Sequence, residues 1–182
     1  GRPLTVANLK ANNTNGVWNG NTYTIENVAF TVNTNERGEV TGIKVSGTAT
    51  NNTYFILDNN FDSTKYTGWI INGLPSNGGP NSFVFRVANQ NSWSSLADYY
   101  VGTGNVIVDS GSGKRLGLRI SNGYQASDLM FYPMIRQSSE SAEFEPFGTN
   151  VLISFGQEIF GGYLNASTGE LTILYALIDM DD

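Results

Sequence analysis

The sequence predicts an all-β chain, an antiparallel β-sandwich followed by a C-terminal β-hairpin extension, and three observations carry that reading. About ten short runs alternate apolar and polar residues with a period of two, the signature of strands with one buried face. No stretch holds a 3.6-residue apolar period for three turns with a cap, so helix is expected to stay near one or two turns. The composition pairs turn formers with core rings: 22 Asn, 16 Thr, 16 Ser and 21 Gly stand beside 3 Trp, 9 Tyr and 10 Phe in 182 residues. Asn, Gly, Ser and Thr supply turns and uncharged polar surface, and the rings supply a core that a disordered chain lacks.

Residues 1–16 show little apolar periodicity and end in Asn12-Asn13-Thr14-Asn15-Gly16, which predicts a flexible lead-in. Residues 17–147 hold the sandwich. Val28, Phe30 and Val32 alternate with Ala29, Thr31 and Asn33, and Ile43, Val45, Gly47 and Ala49 alternate with Lys44, Ser46 and Thr48. Phe83, Phe85 and Val87 oppose Val84, Arg86 and Ala88, while Leu116, Leu118 and Ile120 oppose Gly117, Arg119 and Ser121. Each run predicts a strand with one wet face. Tyr54-Phe55-Ile56-Leu57, Trp69-Ile70-Ile71, Val106-Ile107-Val108 and the run from Leu129 to Ile135 are apolar on both faces and predict strands covered on both sides. Trp18 and Trp69 lie against strand-like segments and are expected in the core. The stretch from Ser94 to Tyr100 allows one helical turn. Asn35-Glu36-Arg37-Gly38 should close a hairpin, and Asn77-Gly78-Gly79-Pro80 cannot be strand. The composition breaks again at Glu145-Pro146-Phe147-Gly148, which makes 148–182 a separate extension. There Phe160 to Leu164 and Glu170 to Leu174 flank the loop Asn165-Ala166-Ser167-Thr168-Gly169, a strand-turn-strand pattern. A lone hairpin is marginal in water, so this extension is expected to pack on the sandwich, another copy or a neighbouring module.

Absences narrow the chemistry. The chain has no Cys and no His, which excludes disulfides, thiolate or imidazole zinc sites, Cys nucleophiles and every Ser-His-Asp triad. Its formal net charge of −6 has the wrong sign for a nucleic-acid partner. No apolar run approaches the ~20 residues that span a bilayer, so no membrane insertion is expected. Charged residues make up 14% of the chain, against about 25% in an average domain.

One ordered set of motifs resembles a known family. A Val-rich strand (Val28 to Val32) is followed by Gly42-Ile43-Lys44-Val45-Ser46-Gly47-Thr48-Ala49-Thr50 and Tyr54-Phe55. Later come Phe131-Tyr132-Pro133-Met134-Ile135-Arg136 and a closing Glu143-Phe144-Glu145-Pro146-Phe147. This resembles a β-sandwich module of bacteriophage tail and minor structural proteins from Gram-positive hosts. The extension is similar to a companion segment of those proteins, Tyr-Gly-Gly-x-Leu-Asp-x-x-Thr-Gly-x-Leu-Thr, with Phe160 and Asn165 in place of its Tyr and Asp. The resemblance covers roughly 17–147 and 148–175. It implies a carbohydrate-binding-module-like jelly roll on a host-facing tail protein of the virion, and it brings no agreed binding residues. The stretch from Asn89 to Gly104 departs from the family as an aromatic-rich insert.

Glycan recognition needs aromatic faces for sugar C–H groups and uncharged polar side chains for hydroxyls, and two constellations offer them. The first is the loop carrying Asn91 and Trp93 and running to Asp98, Tyr99 and Tyr100; the opposing arrangement has Trp93 and Tyr99 plugging one end of the sandwich. The second is a shared sheet face made of Arg86, Arg119 and Tyr132, if their strands are neighbours; there the alternative is a solvated Arg lying over apolar surface.

Other motifs read as structural. Asp58-Asn59-Asn60-Phe61-Asp62 opens like a calcium loop, but Ser63 and Trp69 stand where such a loop needs Gly and Glu, so a turn is expected and no metal. Glu143 and Glu145 would lie about 6.6 Å apart on one strand face, on the same side of any substrate, whereas a glycosidase needs carboxylates flanking the bond. Neither a catalytic residue nor a cofactor is expected. The Asn-x-Ser/Thr triplets at Asn12, Asn51 and Asn165 are what 22 Asn produce by chance. The expected function is non-enzymatic binding of host-surface glycan by a phage tail module, with other tail proteins as partners. The alternative is a structural spacer or homotrimerising module with no ligand.

Overall fold

The computed structural model describes residues 4–139, Glu143, and the strands at 162–165 and 170–173. The chain divides into two units, Gly1–Phe147 and Gly148–Asp182. In the first unit a short helix α1 (Val6–Asn12) precedes β1 (Val17–Asn19), β2 (Thr22–Ile25), β3 (Val28–Thr34), β4 (Val40–Thr48) and β5 (Thr53–Phe61). Then come β6 (Ile70–Asn72), β7 (Phe83–Asn89), β8 (Ser95–Tyr99), β9 (Lys114–Ile120), β10 (Gln125–Phe131) and β11 (Met134–Arg136).

Two antiparallel sheets face each other. One runs β1-β2-β3-β4-β10 and the other β5-β9-β7-β8. Three pairings are nested, β4 with β10, β5 with β9 and β7 with β8, and the pair β6 with β11 crosses the first two. The period-2 alternation sends Phe30 inward from β3 and Phe55 inward from β5. Their rings stack 4.9 Å apart with an 11° interplanar angle, and Tyr23 and Trp18 close on Phe55 at 5.8 and 6.2 Å. Further along, Phe83 of β7 meets Phe131 of β10 edge to face at 5.0 Å. These rings join the sheets; Trp18 and Trp69 pack against the core as partly buried residues. The Asn35–Gly38 turn closes β3 onto β4 as the sequence predicts, with the Gly38 N–H donating to Asn35 O and Gly38 at φ +77°.

Several expectations are corrected. The stretch expected as a lead-in carries the helix α1. Thr5 caps α1 through Oγ1, Leu9 is fully buried, and the Asn13 side chain behaves as a strand. Its Nδ2 donates to Ile56 O at 2.9 Å and its Oδ1 accepts from Ile56 N at 2.7 Å. β5 is an edge strand, and an edge leaves backbone groups unpaired; Asn13 supplies both missing partners at Ile56. The Ser94–Tyr100 stretch forms the strand β8, because its backbone pairs with β7. Val106 makes only a single bridge, to Ile70, and Val106 and Val108 are 46% and 50% exposed, so that run is not covered on both sides.

The run from Leu129 to Ile135 is two strands. Pro133 has no N–H to give a ladder, and the chain leaves β4 at Phe131 to pair with β6 from Met134. Between them the Tyr132 N–H donates to Gly73 O at 2.8 Å. Gly73 is obligatory there: it sits at φ +108°, and a Cβ would lie 1.8 Å from Tyr132 O. Nor do β7 and β9 have the expected wet face. Val84 and Ala88 are fully buried, and Arg119 and Ser121 are 6% and 5% exposed.

In the second unit, β12 (Gly162–Asn165) pairs antiparallel with β13 (Glu170–Ile173), the expected hairpin. Glu145, the Val151–Phe155 run and the acidic end fall outside the described residues. The Asp58–Asp62 segment carries strand up to Phe61, after which Asp62 Oδ1 caps the short 3₁₀ turn Ser63–Tyr66.

Candidate functional site

β7 and β8 run side by side with Arg86 directly opposite Asp98. That register makes a bidentate pair: Arg86 Nε donates to Asp98 Oδ1 and Nη2 to Oδ2, each at 2.8 Å. The pair sets the neighbouring aromatics. Arg86 Nη1 donates to the Trp93 carbonyl at 3.0 Å and toward the Tyr54 hydroxyl at 3.4 Å. Burial pushes the Asp98 carboxyl up, but hydrogen bonds from Arg86 and Ser95 outweigh it and hold the group below the usual carboxylate range. The same bond to Asp98 raises Arg86 above its ordinary value.

Trp93 lies over β9 where that strand has no side chain. A Cβ on Gly117 would sit 2.5 Å from Trp93 Cη2 and 2.9 Å from Cζ3, so glycine is what lets the indole descend onto the sheet. Tyr54 stacks on the indole at 4.1 Å and 6°. A ring that close leaves no room on the same face, so the Arg115 guanidinium, 4.8 Å from the indole centroid, takes the other. Burial lowers Arg115 from its ordinary value. Both faces of Trp93 are therefore occupied, and it is a packed wedge and not an open platform.

Gly117→Ala is expected to drive Trp93 from between Tyr54 and Arg115. Overpacking of this kind costs about 1–3 kcal/mol, and the Trp93 indole Nε1–H resonance should move while those of Trp18 and Trp69 hold. An unmoved Trp93 signal in a folded variant would refute this packing.

Beside the wedge opens a cleft of about 150 Å³. One wall is Tyr54, Trp93 and Arg115; the facing rim is Asn12, Asn13, Thr14 and Asn15; Glu26 and Asn52 line it too. The rim stands where it does because Asn13 is pinned to β5. Glu26 Oε2 accepts from Thr50 Oγ1 and Asn51 Nδ2 at 3.2 and 3.1 Å, and Glu26 and Asn27 take positive φ at the tight β2–β3 turn. Among the described residues no group of three or more Asp or Glu could hold a metal ion.

The residues singled out from the sequence scatter. Trp93, Arg86 and Asp98 are brought together, and of these Trp93 lines the cleft. Tyr99 is a correction: it is 2% exposed, its hydroxyl accepts from Val108 N, burial raises it, and it plugs the sandwich. Tyr100 is half-buried beside the turn that Thr103 closes, and Asn91 is exposed in the β7–β8 connection. Arg119 is also corrected. It is buried, Nη2 donates to Pro80 O at 2.7 Å and to Ser121 Oγ, and burial, then the Arg86 charge, lowers it. Arg86, Arg119 and Tyr132 do not share a face, since Tyr132 follows β10 in the opposite sheet.

Sequence reading missed Tyr54, placed on a strand covered on both sides, and Arg115. It also missed the asparagine rim, assigned to the lead-in. The alternation of Tyr54 and Ile56 against buried Phe55 and Leu57 was the available signal. No known protein family, curated protein or solved structure matches this chain.

Proposed function

We propose that the chain is a non-enzymatic carbohydrate-binding module of a bacteriophage tail or receptor-binding protein, directed at host-surface glycan. The observation that carries this reading is the cleft itself, where Tyr54 and the packed Trp93, held by the Arg86–Asp98 ion pair, face a rim carrying the side-chain amides of Asn12 and Asn15. Amides donate and accept at once, which suits vicinal hydroxyls. The nested strand pairing supports the jelly-roll form that the family resemblance implies. The test is a glycan array probed with the full chain, followed by titration calorimetry on any hit. Binding near 1 mM to 10 μM, about 4–7 kcal/mol, is expected for a small wet site. No binding to any glycan would overturn the proposal.

A second reading rests on Val101, Val106 and Val108, exposed at 60%, 46% and 50% within eight residues. Apolar exposure at this density suits contact with another copy or a neighbouring tail protein. A concentration-independent monomer in sedimentation would remove the homotrimer from that reading.

A further inference from the structure

We infer that the cleft takes a single uncharged monosaccharide unit at the end or branch tip of a glycan; this rests on the carbohydrate-binding reading. Size is the first argument. The cleft holds about 150 Å³, below the roughly 300–1,000 Å³ that drug-sized ligands fill. A space of that size matches one pyranose ring better than an extended oligosaccharide, and a terminal or branching unit offers such a ring with the fewest neighbours to accommodate.

Charge is the second argument. The lining carries one cation, Arg115, and one carboxylate, Glu26, so its formal charge is zero. Arg115 is committed on the protein side, its guanidinium over Trp93 and its Nε donating to Asn59 Oδ1 at 3.2 Å. The chain as a whole carries −6. A carboxylated or phosphorylated sugar would find no net positive charge in the lining and a repulsive field at longer range. What the rim presents is the amides of Asn12 and Asn15 and the Thr14 hydroxyl, and hydroxyl or acetamido groups match them without any net charge.

The experiment is an NMR titration of the isotope-labelled full chain. The probes are methyl glycosides of neutral hexoses and N-acetylhexosamines, then glucuronic acid and hexose 6-phosphates, then a long neutral polysaccharide. At least one neutral methyl glycoside should shift the Asn12, Asn15 and Tyr54 amides and the Trp93 indole, with Kd of about 1 mM. That affinity should change less than about twofold between roughly 0.05 and 0.5 M salt. A charged sugar binding about tenfold tighter and weakening with salt would overturn the inference. So would binding of the polysaccharide with no response to any monosaccharide. Both of those outcomes leave the carbohydrate-binding reading standing, whereas silence from every probe and from the array takes both down.

Discussion

Replacing Phe55 with Ala is expected to cost about 3–5 kcal/mol, the range for deleting a buried aromatic side chain and leaving part of its cavity open. Phe55 is fully buried and touches rings from three strands of the opposite sheet: Trp18 of β1, Tyr23 of β2 and Phe30 of β3. The Phe30 stack at 4.9 Å is lost with it, and such pairs contribute about 0.5–1.5 kcal/mol beyond burial. Thermal melting should show the midpoint falling by about 10 °C, at roughly 2–4 °C per kcal/mol for a domain near this size. A loss under about 1 kcal/mol would mean that Phe55 is not at the centre of the inter-sheet contact.

Asp98→Ala is expected to cost about 2–3 kcal/mol. Breaking a fully buried pair costs roughly 3–5; here Arg86 and Asp98 keep 12% and 24% side-chain exposure, so solvent recovers part of the loss. The variant leaves a largely buried Arg86 with Arg119 as a near positive neighbour. The effect carries a pH signature of definite sign. The Asp98 carboxyl is held below its unfolded value, so the pair stabilises the fold fully above about pH 4 and ceases to as pH falls through the lower folded value. Denaturant melts of the two proteins should therefore differ most at neutral pH and converge in acid. A gap that stays constant down to roughly pH 2 would assign the effect to packing and not to charge.

The strands and their inward faces were legible in the sequence because that information is local. Val28, Phe30 and Val32 point one way by the pleat alone, and the Asn35–Gly38 turn is local turn chemistry. The run at Val106–Val108 shows the limit of the same reasoning: an apolar triplet predicts a strand covered on both sides, but only Ile107 is buried, its backbone bonded to Gly68 and Trp69, while Val106 and Val108 stay exposed.

The site was far less legible. Tyr54, Trp93 and Arg115 are separated by tens of residues and meet because β5, β9 and β7 lie in that order, a fact of pairing and not of pattern. Even the absence of a side chain at Gly117 has meaning only once the Trp93 loop folds back over β9. Asn13 follows the same rule. Its local sequence favours a turn, yet it pairs with Ile56 at 43 residues' distance, and that pairing raises the cleft rim.

By itself, then, the sequence determined an all-β chain with ring-filled layers, a low-charge polar surface, a terminal hairpin, and chemistry free of thiol and imidazole. Only the tertiary structure decided which wet faces are covered, as Arg119 is through Pro80 O, and which asparagines stand over which ring. The physical reason is that alternation and turn propensity act between neighbours in the chain. Burial of a polar face and assembly of a cleft arise from contacts across sheets and loops, whose partners no local pattern names.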